Sequence, residues 1–453
     1  MIIHTGLFID GVEVEPRRLA LLVELAIAEL KSEPFSSRRG VGHGHGGPLS
    51  AVVAFLAARR TGVPVFMGTA LAPVPAPRPG AVLHVDGDNV RCEPVDPGPG
   101  TEPPEDTEVV FRTSGSSGNP KQVAHLRQAM EYQTCATAEA VGYDENDGLL
   151  VLIPPGHAYG YSLLRIWQEV GTRLFLHSGF VPQAVGRGLL DTRVTSLDGV
   201  PSHYAALLRL SRTRKDLTDA LARLRVRGCG GDVLPRSVSM PFLDRLDAPI
   251  HDGYGLTEAG PNIAINVPDS YRPHTVGRPL PGTRVRVESD EIQVRSPSVI
   301  SRYHGSPDEE PPLTPDGWLR TGDIGHLDQD GYLVVLGRRK EVIIVHGENI
   351  LPHTIEEALG DLPGIDDCAV LGVASGTARG DHLLLFAVPA PGADLQECGR
   401  LIRDRVRATF PPRLRPTDVR LVPELPRLPS GKLDRGELRS LVSALRPDPV
   451  GGR

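Results

Sequence analysis

Apolar and polar positions along this chain change their period many times, and the changes mark its elements. "PRRLALLVELAIAELK", residues 16–31, has apolar positions three and four apart, as in an amphipathic helix. "AVVAFLAARRTG" reads as helical too, whereas "VPVFMG" and "EVVFRT" (108–113) are short apolar runs that read as strands. A helix is expected over "HLRQAMEYQTCATAEAVG". "LLVLIPP", "RVTSLDGVP", "RLRVRGCGG" and "APIHDGYG" read as further strands, each ending in a loop of small or polar residues. Strands alternating with helices imply a largely parallel sheet, in which ligands collect at the C-terminal strand ends.

Residues 275–303 alternate with a short period and read as antiparallel β. Beyond Gly337 come "EVIIVH", a helix from about Pro352 to Leu362, "DCAVLGVA", "LLLFAVP", a helix from about Asp394 to Thr409, and "VRLVPELP". The expected fold is α/β. A large N-terminal domain, 1–339, holds mainly parallel sheets with helices and a small antiparallel β unit. A smaller α+β domain, 340–453, follows. "GVGHGHGG" (40–47) matches G-x-G-x-x-G at Gly42, Gly44 and Gly47, but "SEPFSSRRG" before it is no strand. A dinucleotide fingerprint is therefore set aside and a mobile loop is expected.

Composition narrows the class. The chain of 453 residues is 40% hydrophobic and 23% charged, ordinary for a globular protein. Its net charge of −7 disfavours nucleic acid as a partner. No apolar run reaches the ~18–20 residues of a membrane span. The start, "MIIHTGLFIDGVEVEP", lacks a basic-then-apolar signal pattern, so a cytoplasmic location is expected. Five scattered cysteines with no C-x-x-C pair predict free thiols and no structural zinc. Only five of the 49 Lys plus Arg are lysine: Lys31, Lys121, Lys215, Lys340 and Lys432. Against so strong an arginine bias, a lysine marks a place for a compact point charge rather than a planar fork.

"FRTSGSSGNPKQV", residues 111–123, sets glycines, serines and a threonine around Lys121. Glycine-rich turns aim backbone N–H groups at anions, and hydroxyls add donors. The loop reads as phosphate-binding, though G-x-x-x-x-G-K-[ST] is absent; a plain glycine-serine loop is the alternative that composition leaves open.

Together with "IPPGHAYG", "GVPSHYAALL", "GCGGDVLP", "HDGYGLTEAG", "VGRPLPG", "WLRTGDIG", "GRRKEVIIVHGENILPHTIEEAL" and "LPRLPSGKLDRGEL", this loop resembles the adenylate-forming enzyme superfamily. The motifs run in order from about residue 50 to 440. The resemblance implies a carboxylic acid substrate, ATP with Mg²⁺, and CoA or a carrier-protein phosphopantetheine as acceptor. It implies two steps, formation of an acyl-AMP with release of pyrophosphate and then thiol displacement of AMP. It also implies that the C-terminal domain is mobile.

The resemblance carries roles onto matching positions. Thr113, Ser114, Gly115, Ser116, Ser117, Gly118 and Lys121 would hold the β- and γ-phosphates. Gly230, Gly231 and Asp232 would lie along the adenine. In "DGYGLTE", Asp252, Gly253, Tyr254 and Gly255 would line the nucleotide, with Tyr254 stacked on adenine. Thr257 would bond the α-phosphate and Glu258 would ligate Mg²⁺, a hard cation that suits phosphate and carboxylate oxygens. Asp323 and Arg338 would clamp the ribose. Lys432 would bridge the substrate carboxylate and the α-phosphate, Lys340 would be the hinge, and His157 would gate the acyl or thiol tunnel. For the acyl pocket the candidates are His157, Ser202, His203, Tyr204, Cys229, Gly230 and Gly255, a small and polar set that suits a small polar or aromatic acid.

Two departures stand out. The region before the phosphate loop is shorter than in most relatives, and Asp290 stands where a glycine is usual, which predicts a loop change only. Two further readings fit the same motifs: transfer to an amine or activation of an unusual acid, and a homologue that binds adenylate without turnover. The second sits poorly with the retention of Lys432, Glu258 and Asp323.

Overall fold

The computed structural model describes residues 6–32, 40–44, 47–68, 79–95, 102–113, 121–306, 309–360, 362–374, 381–428 and 431–444. Two large sheets dominate. In the nine-stranded sheet, Leu7–Ile9, Arg173–Leu176, Gly148–Val151, Ser196–Gly199, Val226–Gly230 and His251–Tyr254 run parallel, with antiparallel strands at the edges. In the six-stranded sheet, Ala81–Asp86, Val41–His43, Val65–Met67 and Thr107–Arg112 are parallel.

Most of these strands are buried on both faces because helices cover both faces, as in parallel sheets generally. The helices Gly47–Thr61 and Ala158–Val170 are buried around most of their circumference. Their side chains join those of both sheets in one core, which includes Val41, Phe55, Val109, Leu149 and Trp167. The helix Pro16–Lys31 instead buries a single stripe, Leu19, Leu22, Val23, Ala26, Ile27 and Leu30, which agrees with its amphipathic period.

Two sequence expectations are corrected. Val41–His43 is a strand inside the six-stranded sheet, not a loop: Val41 has no exposed surface and pairs with Val65 and Ala81. A run of three residues is too short to show a period, and its glycines hid it. Residues 45–46 lie outside the described residues. Next, Gln122–Leu126 is a strand antiparallel to Thr107–Arg112, so the serine-rich loop joins two strands and the helix begins only at Arg127.

A four-stranded antiparallel sheet holds Arg284–Glu288, Glu291–Arg295, Leu319–Leu327 and Leu333–Arg338. Ser289 and Asp290 form the two-residue turn of its first hairpin with φ of 50° and 62°. Turns of that hand suit strand twist, and aspartate tolerates the left-handed region better than most residues, so glycine is dispensable there. Beyond it, Ile365–Ala374, Asp381–Pro389 and Asp418–Leu421 form a three-stranded sheet covered by the helices Pro352–Leu359 and Leu395–Thr409. All five cysteines are free thiols. Among the described residues no helix is long and apolar enough to cross a membrane.

Candidate active site

A cleft of about 1190 Å³ opens at the C-terminal ends of strands from both large sheets. His43, Thr113, Gly230 and Tyr254 follow or end such strands and line it, and Lys340 and Lys432 enter from the C-terminal unit. The chain crosses itself here because a parallel strand must deliver its following loop to the same edge of the sheet as its neighbours.

On one side, Thr113 N–H donates to the Lys121 carbonyl at 2.9 Å, which closes the base of the serine-rich loop. Ser114, Gly115, Ser116, Ser117 and Gly118 lie outside the described residues. The Lys121 ammonium sits 4.5 Å from the centre of the Tyr303 ring and 3.3 Å from Glu309. The Tyr303 hydroxyl donates to Glu258 Oε1 at 3.3 Å. Tyr303 thus joins the loop lysine to the carboxylate of "GLTE". His125, buried in the strand after the loop, donates from Nε2 to the Thr257 carbonyl at 2.7 Å; burial holds its pKa down to about 4, so the ring is neutral. Among the described residues no group of three His, Cys, Asp or Glu could hold a metal alone. Glu258 forms no ion pair among the described residues, so a cation shared with phosphate oxygens would find a carboxylate there.

Across the cleft, Tyr254 donates to Asp323 Oδ2 at 2.6 Å, and Arg338 Nε lies 3.1 Å from Asp323 Oδ1. Asp323 is 3% exposed and stands behind Tyr254 and Arg338. Burial pushes its carboxyl up, against the pull of Arg338 and Tyr254. Gly255 permits the turn that follows: a Cβ there would lie 1.7 Å from the Pro261 carbonyl oxygen.

Lys432 reaches the cleft over Gly231, where its Cε would be 3.3 Å from an added Cβ. It forms no salt bridge among the described residues, and burial lowers its pKa, against the pull of Asp232. Gly431 docks the lysine loop on the start of the Pro201–Ser211 helix: Ser202 Oγ donates to the Gly431 carbonyl at 3.3 Å. His157 is the N-cap of the Ala158–Val170 helix, accepting from Tyr159 N–H at 3.3 Å on Nδ1. Burial, and then Lys432, holds it down to about 4. Lys340 sits in the short 3₁₀ turn Arg339–Glu341 that follows the last strand of the antiparallel sheet.

Of the remaining candidates, His203, Cys229, Gly230 and Gly253 line the cleft. Four do not. Tyr204 is wholly buried, its ring against Phe242 and its hydroxyl between the carbonyls of Leu197 and Gly228, so it belongs to the core and not to the pocket. Ser202 is spent on the lysine loop. Asp232 is exposed and accepts from Val233 N–H at 2.9 Å. Asp252 does not line the cleft, and burial pushes its carboxyl well up. His203 accepts from Val200 N–H on Nδ1 at 3.4 Å and stacks on Phe180, so it caps its helix and also faces the cleft. Sequence reading missed Tyr303, His125, Tyr159 and Asp198, none of which stands out by spacing.

Burial also sets a pH dependence of stability. His125, His157, His203 and His304 are held to about 4, and His251 to about 3, in each case by burial first. An unfolded imidazole takes a proton near 6.5, so between about pH 6.5 and 4 the unfolded chain binds more protons than the folded one. Each such histidine then removes up to about 1.4 kcal/mol per pH unit on acidification. Asp198, raised to about 6 by burial, opposes this over part of the range. The melting midpoint is expected to fall steadily from pH 7 to 5; a flat profile in calorimetry would contradict these buried neutral rings.

The family model described as "AMP-binding enzyme" matches residues 52–304, and that of the "AMP-binding enzyme C-terminal domain" matches 354–432. Feruloyl-CoA synthase of an Amycolatopsis species is 32% identical over 362 residues, spanning 75% of this chain and 72% of that protein. The anthranilate CoA ligase AuaEII in complex with anthranoyl-AMP has the same fold, with a TM-score of 0.82 at 22% identity, over 97% of this chain and 95% of that one. The amide bond synthetase McbA from Marinactinospora thermotolerans aligns with a TM-score of 0.78 at 26% identity, over 97% of each chain.

Proposed function

Because this chain belongs to the AMP-binding enzyme family, and is an AMP-forming acid–thiol ligase, we propose that its cleft activates a small polar or aromatic acid and passes the acyl group to CoA. The observation that carries this reading is Lys432: a half-buried ammonium without an ion-pair partner among the described residues, in one cleft with Thr257, Glu258, Tyr254 and Arg338.

In the first step a carboxylate oxygen attacks the α-phosphorus of ATP and pyrophosphate leaves. Two anions must meet, so the work is charge neutralisation and positioning. Lys432 bridges the carboxylate and the α-phosphate. Thr257 bonds the α-phosphate, while Thr113, Lys121 and the intervening loop hold the departing phosphates. Tyr254 stacks on the adenine, and Asp323, steadied by Tyr254 and Arg338, accepts from the ribose hydroxyls. Mg²⁺, held at Glu258, would neutralise phosphate charge. In the second step the thiol sulfur attacks the acyl carbon and AMP leaves. Lys432 is carried on residues 340–453, which pivot at Lys340, so the first step's cation can withdraw. His157 stays neutral at the tunnel mouth.

A second reading has one observation in its favour, the 26% identity to an amide bond synthetase, and in it an amine replaces the thiol. Pyrophosphate release over a panel of aryl, short acyl and amino acids, repeated with CoA, carrier-bound pantetheine or amines, separates the two. Acyl-CoA formation supports the first reading, and amide without thioester the second. Failure of every acid to convert ATP to AMP overturns both.

A further inference from the structure

Asp198 is the third residue of the Ser196–Gly199 strand, lines the cleft and is 2% exposed. A carboxylate so deeply buried is normally matched by a cation, because an isolated buried charge is costly. Asp198 forms no ion pair among the described residues; Asp147, the nearest acidic neighbour to influence it, is itself paired with Arg225. The hydrogen-bond partners of its carboxylate are two hydroxyl donors. Tyr159 donates to Oδ1 at 2.8 Å and Ser196 to Oδ2 at 2.8 Å, while Tyr143 lies 3.4 Å from the Ser196 oxygen. Both phenols are pushed well up by burial and keep their protons. Two donors leave lone pairs on each carboxylate oxygen unfilled.

The neighbouring strand leaves room for the Asp198–Tyr159 pair itself. Gly228 is the register partner of Asp198, and a Cβ there would lie 2.4 Å from Asp198 Oδ1 and 3.0 Å from the Tyr159 hydroxyl. Gly230 and Gly253 continue that bare face of the cleft. Lys432 crosses the same chain at Gly231, three residues further on, or about 10 Å of extended backbone. One end of the cleft thus holds the cation for a reacting carboxylate, and the other holds a fixed acceptor.

We propose that Asp198 determines acid specificity by accepting a hydrogen bond from a hydroxyl or amino donor at the end of the acid remote from its reacting carboxylate. This rests on reading the cleft as the acid's site and deepens it to a substrate class: ring-bearing acids with a polar hydrogen on the far side. Asp198 is a recognition group and takes no part in bond making.

The test is pyrophosphate release at saturating ATP for matched aryl acids bearing a ring hydroxyl, a ring amine, a methoxy group or hydrogen alone. Hydroxyl or amino acids should exceed the methoxy and unsubstituted ones in kcat/KM by about 10–150-fold, the worth of one hydrogen bond to a charged group. Whichever arm is faster identifies the donor. Asp198→Asn retains an acceptor for Tyr159 and should collapse that ratio to a few-fold. Equal wild-type use of both series overturns the proposal without any variant. A uniform loss across all acids in Asp198→Asn also overturns it, since that marks a structural role. If no acid at all yields pyrophosphate, the functional reading itself fails.

Discussion

Lys432→Ala is expected to lower the rate of pyrophosphate formation by about 10²–10³-fold, the usual cost of deleting one preorganised group that meets developing charge. Protein stability should hardly change, because Lys432 is half-buried, forms no salt bridge among the described residues, and crosses a glycine rather than filling a socket. The loss should fall on kcat of the first step. If the acyl-AMP is supplied ready-made, transfer to thiol should proceed near the wild-type rate, because that step needs no cation between two anions. A variant that makes pyrophosphate at full rate would remove Lys432 from the chemistry. One that loses both half-reactions equally would make it a docking residue for the C-terminal unit.

Glu108→Ala should give the largest loss of stability. Glu108 is 2% exposed on the strand that feeds the serine-rich loop, and it faces the buried Arg165 guanidinium of the Ala158–Val170 helix. Tyr161 donates to Glu108 Oε1 at 2.8 Å, and Arg165 Nε donates to Thr134 at 2.7 Å. Removal of the carboxylate strands a cation in the core between the two large sheets, which costs about 3–5 kcal/mol. Replacing both partners, as in Glu108→Leu with Arg165→Met, should recover most of that loss, because an apolar pair avoids the desolvation penalty. Thermal melts of the two single variants and the double variant form the cycle that checks this. A Glu108→Ala protein that melts with the wild type would mean that water or a neighbour satisfies Arg165. Since the strand runs into Thr113, a higher KM for ATP should accompany the loss.

The comparison of sequence with structure is instructive where it fails. Long periodic segments such as 16–31 and runs such as "RVRGCGG" declared themselves, because one-sided burial and two-sided burial leave different apolar spacings. Val41–His43 did not, since three residues hold no period, and Gln122–Leu126 was split between the glycine-serine loop before it and the helix after it. In the cleft, the motifs named Thr113, Lys121, Tyr254, Glu258, Arg338 and Lys432, and the fold brings them to one place. Tyr204 was misjudged because a residue beside a pocket motif can point either way on its helix, and only packing against Phe242 decides which.

What the chain by itself determined was the family, the alternation of strands and helices, and the residue types able to meet phosphate, ribose and carboxylate. These follow from local spacing and from the scarcity of lysine, both of which are properties of a line of residues. What only the tertiary structure decided was which groups meet without any sequence relation: Tyr303 between Lys121 and Glu258, His125 on the Thr257 carbonyl, and Asp198 buried beside Gly228 with Tyr159 donating to it. Strand order and register set those meetings, and both are fixed by the packing of whole layers rather than by any short run of residues.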